Sequence, residues 1–171
     1  KIDMIDKIID YEELPTSYKS ILAELYKEKL ADVLITGSLD TVDHILFDPI
    51  PNFIFTRDIA VVVNDHIIIT KAAKQARYRE NFLARFIFWA HPIFRKVREE
   101  GKIINMNNVD LLTKKKKGEN ITIEGGDMMM IHKDYLLIGC SERTNEYTIK
   151  ALRDVLFSKG VVKNVVQIDI P

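Results

Sequence analysis

A strand–turn–strand–helix–strand pattern occurs twice after residue 48, and this repetition constrains the fold more than any other feature of the sequence. In the first copy, β-branched runs at 59–63 and 67–70 flank a short polar turn. A helix predicted over 72–90 then leads to a short strand at 103–104. Short strands that alternate with helices in this way predict an α/β fold.

The second copy repeats the order of the first. Apolar runs at 121–124 and 128–131 precede a predicted strand at 135–138. A helix over 145–158 and a final strand at 165–170 complete the unit. Like-built units of this kind indicate modules arranged around a pseudo-symmetry axis, with their equivalent loops converging on one centre.

Each predicted module helix has apolar residues at helical spacing. In the first helix, Phe82, Phe86 and Trp89 are predicted to form the stripe that packs on the core. The corresponding residues of the second helix are Ile149, Leu152 and Leu156.

The stretch DPIPN at 48–52 marks a boundary, because two prolines so close together cannot lie inside a helix. Residues 1–48 are predicted to be a helical segment, with one helix over 15–35. Residues 49–106 then form the first ββαβ module and residues 107–171 the second.

Composition excludes several classes of partner. Lys and Arg number 25 and Asp and Glu also number 25, so there is no basic excess for binding nucleic acid. The one basic run, Lys114–Lys117, is interpreted as part of a solvated loop.

No apolar run approaches the length of a membrane span. A single cysteine, Cys140, excludes an internal disulfide and favours a reducing compartment, so a cytoplasmic location is expected.

The histidines do not predict a metal site, because no pair has the spacing of metal ligands. They are His44, His66, His91 and His132. No metal or cofactor is therefore expected.

Acidic and polar residues stand before the hairpin of each module. Asn52, Phe55 and Asp58 precede the first hairpin, and Glu124 and Asp127 precede the second. If equivalent loops converge, these side chains share one cleft. Carboxylates there need a cationic ligand to offset the cost of removing them from water.

Arginines follow the second strand of each module, near the start of the helix. They are Arg77 and Arg143. A cleft with carboxylates on one side and arginines on the other suits a ligand with a planar cationic head and a carboxylate tail. Free arginine is such a ligand.

Four motifs in order carry a resemblance to a known family. Residues 51–58 read PNFIFTRD, residues 77–80 read RYRE, residues 124–127 read EGGD, and residues 139–145 read GCSERTN. Together they resemble the signature motifs of arginine deiminases, and the resemblance covers residues 51–145.

The resemblance implies a five-module ββαβ propeller, the pentein fold of the guanidine-modifying or amidinotransferase superfamily. This chain supplies about two modules, preceded by the tail of a helical insertion. It also implies that a cysteine attacks the guanidinium carbon of L-arginine, ammonia leaves, and water releases citrulline. That cysteine and the proton-shuttling histidine lie outside this chain, so the chain alone is predicted to be inactive.

By the same resemblance, Asp58 and Glu124 have catalytic roles at the guanidinium, and Asp127 orders the adjoining loop. The other carried-over residues bind substrate: Arg77 and Arg143 at its carboxylate, with Asn52 and Phe55 lining the pocket. Cys140 holds the variable position of its motif and is interpreted as an ordinary thiol, not the nucleophile.

Two other interpretations stay open. One is a related guanidine enzyme, such as an amidinotransferase or a peptidyl-arginine deiminase. The pair Arg77 and Arg143 argues against the latter, since a peptide-linked arginine has no free carboxylate for them to bind. The second is a non-catalytic relative of the same fold. Homo-oligomerisation is also left open by the sequence.

Overall fold

The computed structural model describes residues 1–40, 45–108 and 120–171, which form two compact units. The first unit comprises residues 1–51 and the second comprises residues 52–171. His44 and the basic run Lys114–Lys117 lie outside the described residues.

The first unit contains three short helices: α1 (Ile2–Tyr11), α2 (Tyr18–Glu24) and α3 (Lys27–Thr36). The single helix predicted over 15–35 is wrong, because the backbone of Leu25 and Tyr26 is extended, with ψ values of 141° and 153°. The ammonium group of Lys1 donates hydrogen bonds of 2.6 Å to the carbonyls of Ala23 and Leu25. These bonds satisfy carbonyl groups at the end of α2, where the helix stops.

The second unit contains two three-stranded sheets with the same internal arrangement. The first sheet has the order β1 (Ala60–Val63), β2 (His66–Ile69), β3 (Ile103–Asn105), and the second has β4 (Met128–His132), β5 (Tyr135–Cys140), β6 (Asn164–Asp169). In each sheet the first two strands pair antiparallel and the last two pair parallel. The predicted α/β fold is confirmed. In the apolar run at 121–124, Ile123 forms an isolated antiparallel bridge with Lys71.

Within the described ranges 52–108 and 120–171, four helices accompany these sheets: α4 (Thr56–Ile59), α5 (Tyr78–Ala90), α6 (Arg95–Glu99) and α7 (Glu146–Ser158). The predicted helix over 145–158 is confirmed, with Asn145 as its capping residue. Helix α5 starts later than predicted, after a 3-10 turn at Gln75–Arg77. Its predicted apolar stripe is only partly right, because Phe82 is buried but Trp89 is exposed.

The two sheets share one apolar core. Residues from both sheets and from α7 pack together in it, so neither sheet has a core of its own. Its fully buried members include Val63, Ile68, Met128, Leu136, Ile138, Leu152 and Leu156.

Arg57 reaches from the segment before β1 to the segment that leads into β4. Its guanidinium donates hydrogen bonds to the backbone carbonyls of Gly125 and Met128. The two sheets are therefore connected by charge-assisted hydrogen bonds as well as by the apolar core. Across the described ranges, no helix combines the length and apolarity needed to cross a membrane.

A charged network fixes the turn between β1 and β2. The carboxylate of Asp65 accepts hydrogen bonds from Lys102 at 2.9 Å and from His66 at 2.7 Å, and Lys102 also pairs with Glu100 at 2.7 Å. The hydrogen bond from Lys102, followed by that from His66, lowers the pKa of Asp65 from 3.8 to about 2. The hydrogen bonds to Glu100 and Asp65 raise the pKa of Lys102 from 10.5 to about 12.

We expect the stability contributed by Asp65 to be fully present above pH 3.8 and lost as the pH falls through about 2. The contribution of Lys102 is fully present below pH 10.5 and lost as the pH rises through about 12. Urea denaturation of the protein and of its Asp65→Asn variant between pH 2 and 7 tests the expected loss of the Asp65 contribution at low pH. The difference in unfolding free energy should shrink steadily as the pH falls below 3.8. A difference that does not change with pH would contradict the assignment.

Candidate functional site: a carboxylate cluster around Arg77

Asp58 is placed by the short helix α4, which ends directly before β1. The hydroxyl of Thr70, at the end of β2, donates a hydrogen bond of 2.6 Å to the backbone carbonyl of Asp58. This bond ties the segment before β1 to the far end of the hairpin. The Asp58 side chain, partly buried, is thereby held at the edge of the first sheet.

Glu124 is placed by the corresponding segment of the second sheet. It precedes a 3-10 turn at Gly125–Asp127, and its backbone N–H donates to the hydroxyl of Thr144 at 3.1 Å. Gly125 packs directly on the backbone of Arg57, so that a Cβ atom at position 125 would lie 1.8 Å from the Arg57 carbonyl oxygen. The absence of a side chain at Gly125 is what brings the two segments together.

The guanidinium of Arg77 lies between these two carboxylates. Its Nη1 donates to Asp58 Oδ2 at 2.9 Å and to Glu124 Oε2 at 3.2 Å, while its Nε donates to Glu80 Oε2 at 2.9 Å. The side chains of Arg77 and Glu124 are only 7% and 4% exposed. Asp58 and Glu124, which are far apart in sequence, therefore meet at a single buried cation.

Two polar atoms of this cluster are buried without a hydrogen-bond partner among the described residues. They are Nη2 of Arg77, a donor, and Oε1 of Glu124, an acceptor. Buried polar atoms in native proteins are rarely left unpaired, because each costs about 1–3 kcal/mol. The cluster therefore has one unpaired donor and one unpaired acceptor that a ligand with groups of both signs would satisfy.

Burial opposes the charge of Arg77 more strongly than any other single influence. The hydrogen bonds to Glu80 and Asp58, together with the charges of Glu80 and Glu124, outweigh it and raise the pKa of the guanidinium. Arg77 therefore stays cationic in this setting.

Arg143 approaches the same carboxylate from the loop that follows β5. Its Nη1 donates to Glu124 Oε2 at 3.3 Å, and its side chain is 51% exposed. The formal charges of Asp58, Glu80 and Glu124 exceed those of Arg77 and Arg143 by one negative charge. These five side chains together carry one net negative formal charge.

Asp127 stabilises the loop that carries Arg143. Its Oδ2 accepts hydrogen bonds from the hydroxyl of Ser141 at 2.9 Å and from that of Thr144 at 2.6 Å. The Ser141 hydroxyl in turn accepts from the backbone N–H of Arg143 at 3.1 Å. Since the Thr144 hydroxyl also accepts from Glu124, the loop and the carboxylate are held by one hydrogen-bond network.

The remaining predicted site residues lie beside the cluster. The backbone N–H of Asn52 donates to Glu80 Oε1 at 3.0 Å, so the segment before α4 is joined to α5. Phe55 is 56% exposed, and its carbonyl accepts from the N–H of Asp58 at 3.0 Å. Asn52 and Phe55 are therefore connected to the site by backbone hydrogen bonds, which leaves their expected contacts with substrate as predictions.

The expected role of Arg77 also stays a prediction, because its guanidinium here faces three carboxylates. Glu80 was not among the predicted site residues, although its position three residues after Arg77 in the RYRE motif was a signal for it. Residues at this spacing face one another on a helix, and the pair Arg77–Glu80 does so.

The site is a closed ion-pair network. An open groove of about 560 Å³ runs along β1 and β4, and its lining includes Val62, Phe88 and Met129 but none of the predicted site residues. The carboxylates have no metal-like partner set: in the part of the chain that the structure describes, no three His, Cys, Asp or Glu side chains are grouped to hold a metal ion. In this arrangement Asp58 and Glu124 bind one planar cation between them, the guanidinium of Arg77.

Comparison with known proteins identifies the family to which the chain is similar. The arginine deiminase family model matches residues 14–171. An arginine deiminase from Listeria monocytogenes serovar 1/2a is 30% identical over 154 residues, which cover 90% of this chain and 33% of that protein. Another from Borrelia garinii subspecies bavariensis is 33% identical over 141 residues, covering 82% and 30%. The chain thus spans about a third of the length of these curated relatives.

Solved structures show a similar fold. A dimethylarginine dimethylaminohydrolase adduct with S-methyl-L-thiocitrulline superposes with a TM-score of 0.51 at 22% identity, covering 86% of this chain and 52% of that one. An adduct of the same kind of enzyme with 4-chloro-2-hydroxymethylpyridine gives 0.50 at 22% identity, covering 86% and 53%. The match to the family model extends over most of the chain, and the chain belongs to the arginine deiminase family.

Proposed function

We propose that this chain is part of an arginine deiminase that hydrolyses L-arginine to L-citrulline and ammonia. The observation that carries the proposal is the position of the Arg77 guanidinium. A guanidinium group, the reactive group of arginine, is held between Asp58 and Glu124 by hydrogen bonds of 2.9 and 3.2 Å. Carboxylates that accept one guanidinium in this geometry can accept another.

In the complete enzyme, Asp58 and Glu124 bind the substrate guanidinium, and the segments that carry the nucleophilic cysteine and the catalytic histidine lie outside this chain. The cysteine thiolate adds to the guanidinium carbon, the C–N bond to one terminal nitrogen breaks, and that nitrogen leaves as ammonia. Water then adds to the amidino carbon, the C–S bond breaks, and citrulline leaves. The histidine supplies and removes the protons of both steps.

The carboxylate end of the substrate is bound by the arginines. When a substrate guanidinium takes over Asp58 and Glu124, Nη1 of Arg77 is released and joins the unpaired Nη2 as a two-pronged donor. Arg143, half exposed and already at the edge of the cluster, contributes a second donor group. A free α-carboxylate fits these donors, and this fit favours L-arginine over a peptide-linked arginine.

Three further elements belong to this proposal. The complete enzyme is a propeller of five ββαβ modules, of which residues 49–106 and 107–171 supply two and residues 1–48 supply a helical segment. It acts without a cofactor. It is located in the cytoplasm, a location that the low cysteine content of this chain favours.

An NMR titration of the 171-residue chain tests the binding half of the proposal. L-Arginine should shift the amide signals of Asp58, Glu124 and Gly126 with an affinity about tenfold higher than that of L-lysine, because an ammonium group cannot bridge two carboxylates in one plane. Equal affinity for the two amino acids would contradict a guanidinium site. Citrulline should not form in the same samples, and its formation would contradict a nucleophile outside this chain.

A further inference from the structure

Glu80 is a buried carboxylate that joins two elements of the site through its two oxygens. Its side chain is 0% exposed. Oε2 accepts from Nε of Arg77 at 2.9 Å, and Oε1 accepts from the backbone N–H of Asn52 at 3.0 Å. Arg77 and Asn52 are two of the residues expected at the substrate.

A structural role alone does not require a carboxylate at this position. Burying a charge costs several kcal/mol before pairing, and buried ion pairs can often be replaced by apolar groups without loss of stability. Glu80 lies in the first turn of α5, where the neighbouring Phe82, Leu83 and Ala84 are buried apolar residues. What an apolar residue cannot do there is orient a guanidinium and a backbone N–H at the same time.

The orientation that Glu80 imposes on Arg77 is specific. A guanidinium has five donors in one plane, and Glu80 takes the Nε edge. The opposite edge, with Nη1 and Nη2, is thereby directed toward Asp58 and Glu124, and Nη2 is the donor left unpaired among the described residues. The hydrogen bond between Glu80 and Nε of Arg77 can therefore persist whether Nη1 and Nη2 of Arg77 face protein carboxylates or a ligand carboxylate.

We infer that Glu80 is the positioning residue for the carboxylate-binding end of the site. Glu80 keeps its hydrogen bond to Nε of Arg77 while Nη1 and Nη2 move from the protein carboxylates to the substrate carboxylate. It also holds the Asn52 segment in place during this change of partners. This inference rests on the proposed function. It makes Glu80 a determinant of preference for guanidinium compounds that carry a carboxylate.

The test compares L-arginine with agmatine, which has the same guanidinium but no carboxylate. In NMR titrations of the 171-residue chain, the wild type should bind L-arginine about tenfold more tightly than agmatine, the effect of one charge-assisted interaction. Glu80→Gln should remove most of this preference by weakening L-arginine binding about tenfold, while agmatine binding changes less than about twofold. Glu80→Asp, which keeps the charge, should restore part of the preference and serves as the second variant if Glu80→Gln does not fold.

The outcomes separate this inference from the proposed function. Glu99→Gln, on exposed helix α6, is the matched control and should leave both affinities unchanged. If Glu80→Gln keeps the wild-type preference, or weakens both ligands equally, Glu80 does not position the carboxylate-binding end. If the wild type itself shows no preference for L-arginine over agmatine, Arg77 and Arg143 do not bind the substrate carboxylate. That result would contradict this part of the proposed function as well as this inference.

Discussion

Asp58→Ala is expected to abolish citrulline formation by the complete enzyme, with a loss of at least about a thousandfold in kcat/KM. The substitution removes one of the two carboxylates proposed to hold the substrate guanidinium, both in binding and as charge develops at the reacting carbon. The fold should persist, because the side chain of Asp58 is only partly buried and Arg77 keeps its hydrogen bonds to Glu80 and Glu124. Citrulline release and the thermal unfolding midpoint are the two measurements.

Asp154→Ala is the matched control, since Asp154 is an exposed aspartate on α7 that pairs only with its neighbour Arg153 among the contacts given by the structure. It should leave kcat/KM within about twofold of the wild type. Near-normal turnover by a folded Asp58→Ala enzyme would show that the guanidinium is bound elsewhere.

Gly125→Ala is expected to lower the free energy of unfolding by about 3 kcal/mol or more. A Cβ atom there would lie 1.8 Å from the carbonyl oxygen of Arg57 and 2.5 Å from a methyl group of Val61. The first of these is backbone, which cannot rotate away as a side chain can. The two segments that carry Asp58 and Glu124 would have to separate, so arginine binding should weaken as well.

The neighbouring glycine is the control for this prediction. A Cβ atom at Gly126 would meet only Asp58 Oδ1, at 3.2 Å. Gly126→Ala should therefore cost less than about 1 kcal/mol of stability. Urea denaturation of the two variants measures the difference, and equal stabilities would contradict the close approach at Gly125.

The sequence motifs predicted which residues meet, because the motifs lie beside strands and helices that the hydrophobic pattern also marks. Asp58 and Glu124 precede their hairpins as expected, and helix α7 begins and ends close to the predicted positions. The pairing pattern within each sheet also follows the predicted order of elements.

The partners of each side chain could not be predicted in the same way. Arg77 was expected to bind the substrate carboxylate. The partners of its donors depend on where Asp58 and Glu124 lie in space, which no spacing rule gives. The buried face of α5 was misread for a related reason. Helical periodicity identifies apolar residues such as Trp89, which is exposed, and ignores buried charges such as Glu80.

The reach of Arg57 and Arg77 from one sheet to the other has a consequence for how this protein can change over evolutionary time. Both arginines contribute to holding the sheets together, and Arg77 does so through the same carboxylates that are proposed to bind the substrate. A mutation that shifts one sheet against the other thus moves Asp58 relative to Glu124. The stability of the contact between the sheets and the spacing of the two carboxylates therefore depend on the same side chains, so a substitution selected for one is expected to alter the other.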